Sequence, residues 1–299
     1  MKFDFGEVLT RARQITWRYK NLWFAGIVMS LVSLLLVPIS LTLNPAFPSF
    51  AVPSEVNRQL PSIMLANVSG ILLTVLSIPL FVIGICVPSL GTFQLEQGSE
   101  NVNFGQLLRG VLPYFWRILG IVLLVWVGMF LAMLTLIAFV IFFSVLTLGI
   151  GLLCAFPLFI LLILGAILVY ALMEQAVSAV LVDNLGVSSA LQRAWELIIK
   201  NPGVMTLMSL INYLGAIVAI LIIFILTMIP MFGSEPDIQS FERLSRNLIL
   251  WMLAILPFYA VFQGVLVTFL QSVWILIYLR LTRSTTPSQP LSGNVEATS

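Results

Sequence analysis

Apolar residues run through this chain in blocks too long for an amphipathic helix or an alternating strand, and the polar positions fall between the blocks. The stretches from Lys20 to Glu55, Arg58 to Glu96, Arg117 to Glu174, Lys200 to Glu235 and Arg246 to Arg280 enclose 34, 37, 56, 34 and 33 residues without a charge. A helix crossing the hydrocarbon core needs about 20 apolar residues. Four blocks therefore hold one span each, and the longest holds two with a turn between them. The pattern predicts an all-α fold, a polytopic membrane helix bundle of six transmembrane helices at 22–43, 63–93, 118–143, 152–182, 204–232 and 249–279. The turn in the long block is expected at 146–151, where Gly149 and Gly151 weaken a helix.

Between the blocks the period changes to that of an amphipathic helix. Phe5-Gly6-Glu7-Val8-Leu9 followed by Trp17-Arg18 recurs as Phe104-Gly105-Gln106-Leu107-Leu108 followed by Trp116-Arg117, with identical spacing. A weaker third copy at Val187 to Lys200 aligns Leu191 with Leu9, Arg193 with Arg11, Ala194 with Ala12 and Lys200 with Arg18. In the first copy Phe5, Val8, Leu9, Ala12, Ile15 and Tyr19 share one face, opposite Glu7, Arg11, Gln14 and Arg18. In the third copy Ser188 or Ser189 is the expected N-cap. Pro113 is expected to end or bend the second copy near Leu112. Amphipathic segments carrying Trp and Arg beside a span suit the membrane interface. The chain then reads as three helix-hairpin repeats, at about 5–93, 104–182 and 187–279, within a single domain over 1–283, with a disordered tail at 284–299.

Charge sets the expected orientation. Five Lys and Arg precede the first span, two lie at 94–117, two at 183–203 and two in the tail, against Arg58, Arg243 and Arg246 on the other side. Cytoplasmic loops are enriched in these residues, so both termini are expected in the cytoplasm and the first span is expected to be an uncleaved anchor. Arg11, Arg13, Arg18, Lys20, Arg117, Arg193 and Lys200 are candidate contacts for anionic lipid headgroups, and the same residues also serve to fix orientation.

Composition then removes most chemistry. Of 299 residues, 60% are hydrophobic and 9% charged, and there is no histidine. The commonest general base and the commonest zinc and iron ligand are thereby missing. Cys86 and Cys154 lie in apolar runs, far apart, and read as small core residues. No phosphate loop, GxSxG elbow or paired-aspartate motif occurs, and Glu235, Asp237 and Glu242 do not have EF-hand spacing. A formal net charge of +2 suggests no nucleic-acid partner. No catalytic residue, metal or cofactor is expected.

One acid stands apart. Glu174 is the only ionisable residue inside an expected span, with Gln175 and Ser178 beside it. Two uses are open to it. Nine residues before Asp183, about 13 Å along a helix, it can reach interfacial water or pair with an arginine of an interfacial helix. Alternatively it forms a cation or proton site with Asn212, Gln263 and Gln271 from other spans. Those amides also serve as interhelical glue, at about 0.6 kcal/mol on average. Pro79, Pro88, Pro157 and Pro257 fall in second spans of the units, as broken helices of transporters do, but at unequal depths.

The opening Phe5 to Trp17, the stretch Val182-Asp183-Asn184-Leu185-Gly186-Val187-Ser188-Ser189-Ala190-Leu191-Gln192-Arg193-Ala194-Trp195 and the closing Trp274 to Arg280 resemble polytopic prokaryotic membrane proteins related to the membrane domain of glycerophosphoryl diester phosphodiesterase. The resemblance implies a six-helix membrane domain without established catalytic residues. The barrel accompanying that domain in some proteins uses paired histidines and metal-binding carboxylates, so phosphodiesterase activity is not implied for this chain. The expected function is a non-enzymatic scaffold or lipid-interacting domain of a prokaryotic plasma membrane. Its expected partners are membrane lipids and other membrane proteins. A transporter for a small or lipidic solute, using Glu174, is the alternative.

Overall fold

The computed structural model describes residues 4–31, 53–99, 102–147, 152–228 and 238–285. Among these every regular element is helical: α1 (Phe5–Arg18), a 3-10 turn (Lys20–Leu22), α2 (23–31), α3 (Pro53–Glu96), α4 (Phe104–Leu146), α5 (Leu152–Asp183), α6 (Val187–Lys200), α7 (Pro202–Met228) and α8 (Ile238–Thr285). Five helices are long and apolar enough to cross a membrane, over Asn67–Glu96, Phe104–Leu146, Phe156–Asp183, Pro202–Ile222 and Leu253–Thr282. The first expected span, 22–43, lies beyond residue 31 outside the described residues, as do most of the expected turn at 146–151 and the tail from 286.

Local chemistry explains where the helices begin. Asp4 caps α1 by accepting from the Glu7 amide at 3.1 Å, and Asn103 caps α4 by accepting from the Gly105 amide at 3.3 Å. The third amphipathic segment starts differently: Gly186 is the N-cap, without a side-chain bond, and the Ser189 hydroxyl donates to the Gly186 carbonyl at 3.1 Å. Neither Ser188 nor Ser189 takes the cap, because the extended Gly186 already turns the chain into the helix. Pro113 does not end the second copy either. Phe104–Leu146 is one helix through it, since the hydrogen bond that proline removes is a single one in a long, otherwise intact ladder. Gly98, at φ +96°, turns the chain out of α3 while the Ser99 amide returns to the Gln94 carbonyl at 3.1 Å.

The buried faces of the three amphipathic segments coincide in register. Val8, Ala12, Ile15 and Thr16 are buried in α1; Ala190, Ala194, Leu197 and Ile198 occupy the corresponding positions in α6. Leu107 and Val111 of α4 match Val8 and Ala12. The exposed faces carry Trp17, Trp116 and Trp195, at 60%, 76% and 55% exposure.

Ion pairs and polar ties join the segments into one end of the bundle. Arg11 meets Glu96 at 2.8 Å, Arg280 meets Glu7 at 2.6 Å, Arg117 donates to the Asn184 side chain at 2.8 Å, and the Tyr278 hydroxyl donates to Asp183. The N-terminal segment, the 94–117 region, the 183–203 region and the end of α8 therefore meet on one side. The core lies next to this polar end, with α5 at its centre against α3, α4, α6, α7 and α8. Farther from it the helices expose large apolar residues, such as Leu72, Phe142, Phe159, Ile225 and Phe258. Such a surface suits lipid chains rather than water.

Helix α2 approaches α8 through two glycines. A methyl group on Gly264 would lie 2.8 Å from the Trp23 carbonyl oxygen and 2.7 Å from Ile27 Cγ1, and one on Gly26 would lie 2.9 Å from Gly264 Cα. Small residues allow such backbone contact in membrane bundles. Gly264→Leu is expected to lower the stability of the detergent-solubilised protein by about 1–3 kcal/mol, the usual cost of overpacking. Gly128→Ala, with nothing within 4 Å of the added methyl, is expected to leave the thermal unfolding midpoint unchanged or slightly raised.

Candidate functional site

A seam of buried polar side chains runs between α3, α5, α7 and α8, just inside the polar end. Ser89 and Thr92 of α3, Glu174 and Ser178 of α5, Ser209 and Asn212 of α7, and Thr268, Gln271 and Ser272 of α8 are all buried. Their spacing follows from helical geometry, since residues three or four apart share a face: Ser89 and Thr92, Glu174 and Ser178, Thr268 and Gln271. Several hydroxyls satisfy their own helix; Ser178 donates to the Glu174 carbonyl at 2.9 Å and Ser209 to the Met205 carbonyl at 2.8 Å. The cross-helix bonds are fewer. Thr92 and Ser272 share one at 2.8 Å.

Gln271 is the junction. Its Nε2 donates to Glu174 Oε1 at 3.1 Å and its Oε1 accepts from the Ser89 hydroxyl at 2.9 Å. Three helices are thus tied through one amide. Glu174 is 1% exposed, and among the described residues it pairs with no arginine and its Oε2 has no hydrogen-bond partner of ordinary geometry. The packing of α8 and α3 over Glu174 could not be read from its position in the sequence.

The other predicted amides are placed unequally. The Tyr170 hydroxyl, one turn before Glu174, lies beside both the Glu174 carboxylate and the Asn212 amide. Asn212 is 6% exposed with Oδ1 unpartnered. Gln263 donates to the Tyr259 hydroxyl at 2.6 Å. Tyr170, Asn212 and Gln263 line a common groove of about 350 Å³ between α7 and α8, together with Ala219, Ile220 and Leu266. Gln175 is fully buried but bonds to none of these groups. Tyr170, Ser89 and Thr92 were not singled out in the sequence; a tyrosine four residues before a buried acid was the available signal for the first.

The basic candidates lie at the polar end. Arg11, Gln14, Trp17, Arg18 and Tyr19 line a surface cleft of about 590 Å³ beside Leu95. Arg11 is held by Glu96, Arg117 by Asn184, and Arg193 and Lys200 approach Glu196 at 3.9 and 4.0 Å. Among the described residues Arg13, Arg18 and Lys20 make no ion pair; Arg18 lies 5.8 Å from the Tyr19 ring centroid. Among the described residues no three Cys, Asp or Glu side chains gather as metal ligands.

Two outcomes test this geometry. Gln271→Leu leaves Glu174 Oε1 without its donor and is expected to destabilise the protein by about 1–3 kcal/mol, more than Ser89→Ala, in equilibrium unfolding of the solubilised protein. At the polar end the Arg280 guanidinium holds the Glu7 carboxyl below its ordinary 4.5. Because the folded value is the lower one, the pair stabilises above pH 4.5 and that contribution fades as pH falls through the folded value. Glu7→Gln should therefore lower the unfolding midpoint at neutral pH and converge on the parent protein in acid.

Comparison of the chain with protein-family models, with curated proteins and with solved structures gives no match.

Proposed function

We propose that this is a non-enzymatic, six-span protein of a prokaryotic plasma membrane, with both termini in the cytoplasm, acting as a scaffold or lipid-interacting domain built from three helix-hairpin units. The observation that carries the reading is the cleft on α1, where Arg18, without an ion pair among the described residues, lies beside exposed Trp17 and Gln14 and half-buried Tyr19. Guanidinium groups bind phosphate, and indole rings favour the headgroup level. Trp17, Trp116 and Trp195 would lie together in that layer, and the shared register of the buried faces of α1, α4 and α6 supports descent from one repeated unit. The bias of Lys and Arg toward the polar end supports a cytoplasmic placement.

The resemblance to the membrane domain associated with glycerophosphoryl diester phosphodiesterase agrees with this reading and rests on the residues quoted above. A transporter using Glu174 is the competing reading; the acid is hydrogen-bonded within the seam and does not line the groove.

The test compares lipid retained by the purified protein from mixed phosphatidylglycerol and phosphatidylcholine nanodiscs. One Arg near the surface is worth about 1 kcal/mol, so Arg18→Gln is expected to weaken phosphatidylglycerol retention about fivefold. Equal retention by parent and variant would sink the proposal.

A further inference from the structure

The groove between α7 and α8 has a polar end and an apolar length. Tyr170, Asn212 and Gln263 form the first; Ala219, Ile220 and Leu266 form the second. Its volume of about 350 Å³ falls in the range of small-molecule sites. Asn212 Oδ1 is the telling atom. Asn212 lines the groove, its Oδ1 is buried, and no donor among the described residues bonds it. A buried amide oxygen left without a donor costs about 1–3 kcal/mol, and an apolar residue of similar shape would remove that cost. A group arranged in this way is expected to be satisfied by something that enters the groove.

Electrostatics narrows what enters. Among the described residues no cationic side chain lines the groove, so a phosphate or carboxylate headgroup finds no counter-charge among them. The Glu174 carboxyl lies on the far side of the Tyr170 hydroxyl and supplies no counter-charge to an anion. Asn212 Oδ1 requires a hydrogen-bond donor. Gln263 uses its amide nitrogen on Tyr259, which leaves its carbonyl oxygen as a second acceptor at the same end. A neutral hydroxyl supplies the one donor that Asn212 Oδ1 requires, and the apolar walls take a hydrocarbon chain.

We propose that this groove binds a neutral, hydroxyl-bearing amphiphile of the diacylglycerol type, its hydroxyl donating to Asn212 Oδ1 and its chain lying along Ala219, Ile220 and Leu266. The site is separate from the α1 cleft and does not rest on the headgroup reading. Glu174 acts as a positioning residue through Tyr170, and Gln271 and Ser89 hold Glu174 in place.

The experiment uses the full chain in nanodiscs with a photoactivatable diacylglycerol, followed by mapping of the labelled peptides. Labelling is expected on α7 and α8, competed by unlabelled diacylglycerol. Asn212→Leu should reduce it about tenfold, the equivalent of one hydrogen bond, while leaving the thermal midpoint equal to or above that of the parent. That combination separates a ligand-binding amide from one that stabilises the bundle. Ile220→Trp, at the exposed rim, should block labelling by filling the groove, and Arg18→Gln should leave it unchanged. Parent-level labelling of both Asn212→Leu and Ile220→Trp, or equal labelling by a photoactivatable phosphatidate, would overturn the proposal.

Discussion

A charged group in hydrocarbon costs several kcal/mol even after the surroundings adjust, and that cost organises this protein. The ion pairs seen among the described residues lie at one end, formed by α1, the end of α3, α6 and the end of α8. Because these segments are far apart in sequence and share one end, the helices between them must run out from it and back. The polar end is thus both the place where charge is tolerated and the clamp that fixes which helices are neighbours. Glu7 with Arg280 joins residues 273 positions apart, and Arg11 with Glu96 joins residues 85 apart.

Packing follows the same gradient. Next to the clamp, buried Leu107, Ile118, Met205, Trp274 and Tyr278 form a core of large side chains. Away from it, the helices present apolar residues outward, where lipid chains substitute for a protein partner. In that half the hydrophobic effect gives helices no reason to associate, so close backbone contact and polar bonds must do so. The approach of α2 to α8 at Gly26 and Gly264 and the bond from Gln271 to Glu174 are contacts of these two kinds.

The seam around Glu174 exists at the boundary between those regimes. It is deep enough that an unpaired polar atom is expensive and shallow enough that helices from both hairpin partners converge on it. Most of its members are paired. Asn212 Oδ1, Glu174 Oε2 and both polar atoms of Gln175 are not. Natural cores satisfy nearly all buried polar groups, so these exceptions mark where stability has been given up. Asn212 borders a groove that can receive a donor, and Gln175 does not line that groove.

The sequence by itself determined what depends on composition and period. Charge-free blocks dictated membrane helices, the absence of histidine removed families of chemistry, and the repeated Phe-Gly motif located α1 and α4 to within the residue at which each begins. Helix periodicity also picked Val8, Ala12 and Ile15 as an inward face before any partner for that face was known. Other features needed the tertiary structure. Whether Pro113 breaks a helix depends on the ladder around it, whether Ser189 caps α6 depends on the conformation of Gly186, and whether Glu174 meets water, arginine or an amide depends on which helices pack over it. Gln263 and Gln271 look alike in the sequence, eight residues apart on one helix. Only packing made one the junction of the seam and placed the other along an open groove, because an apolar helix in lipid carries little sequence information about which of its neighbours will face it.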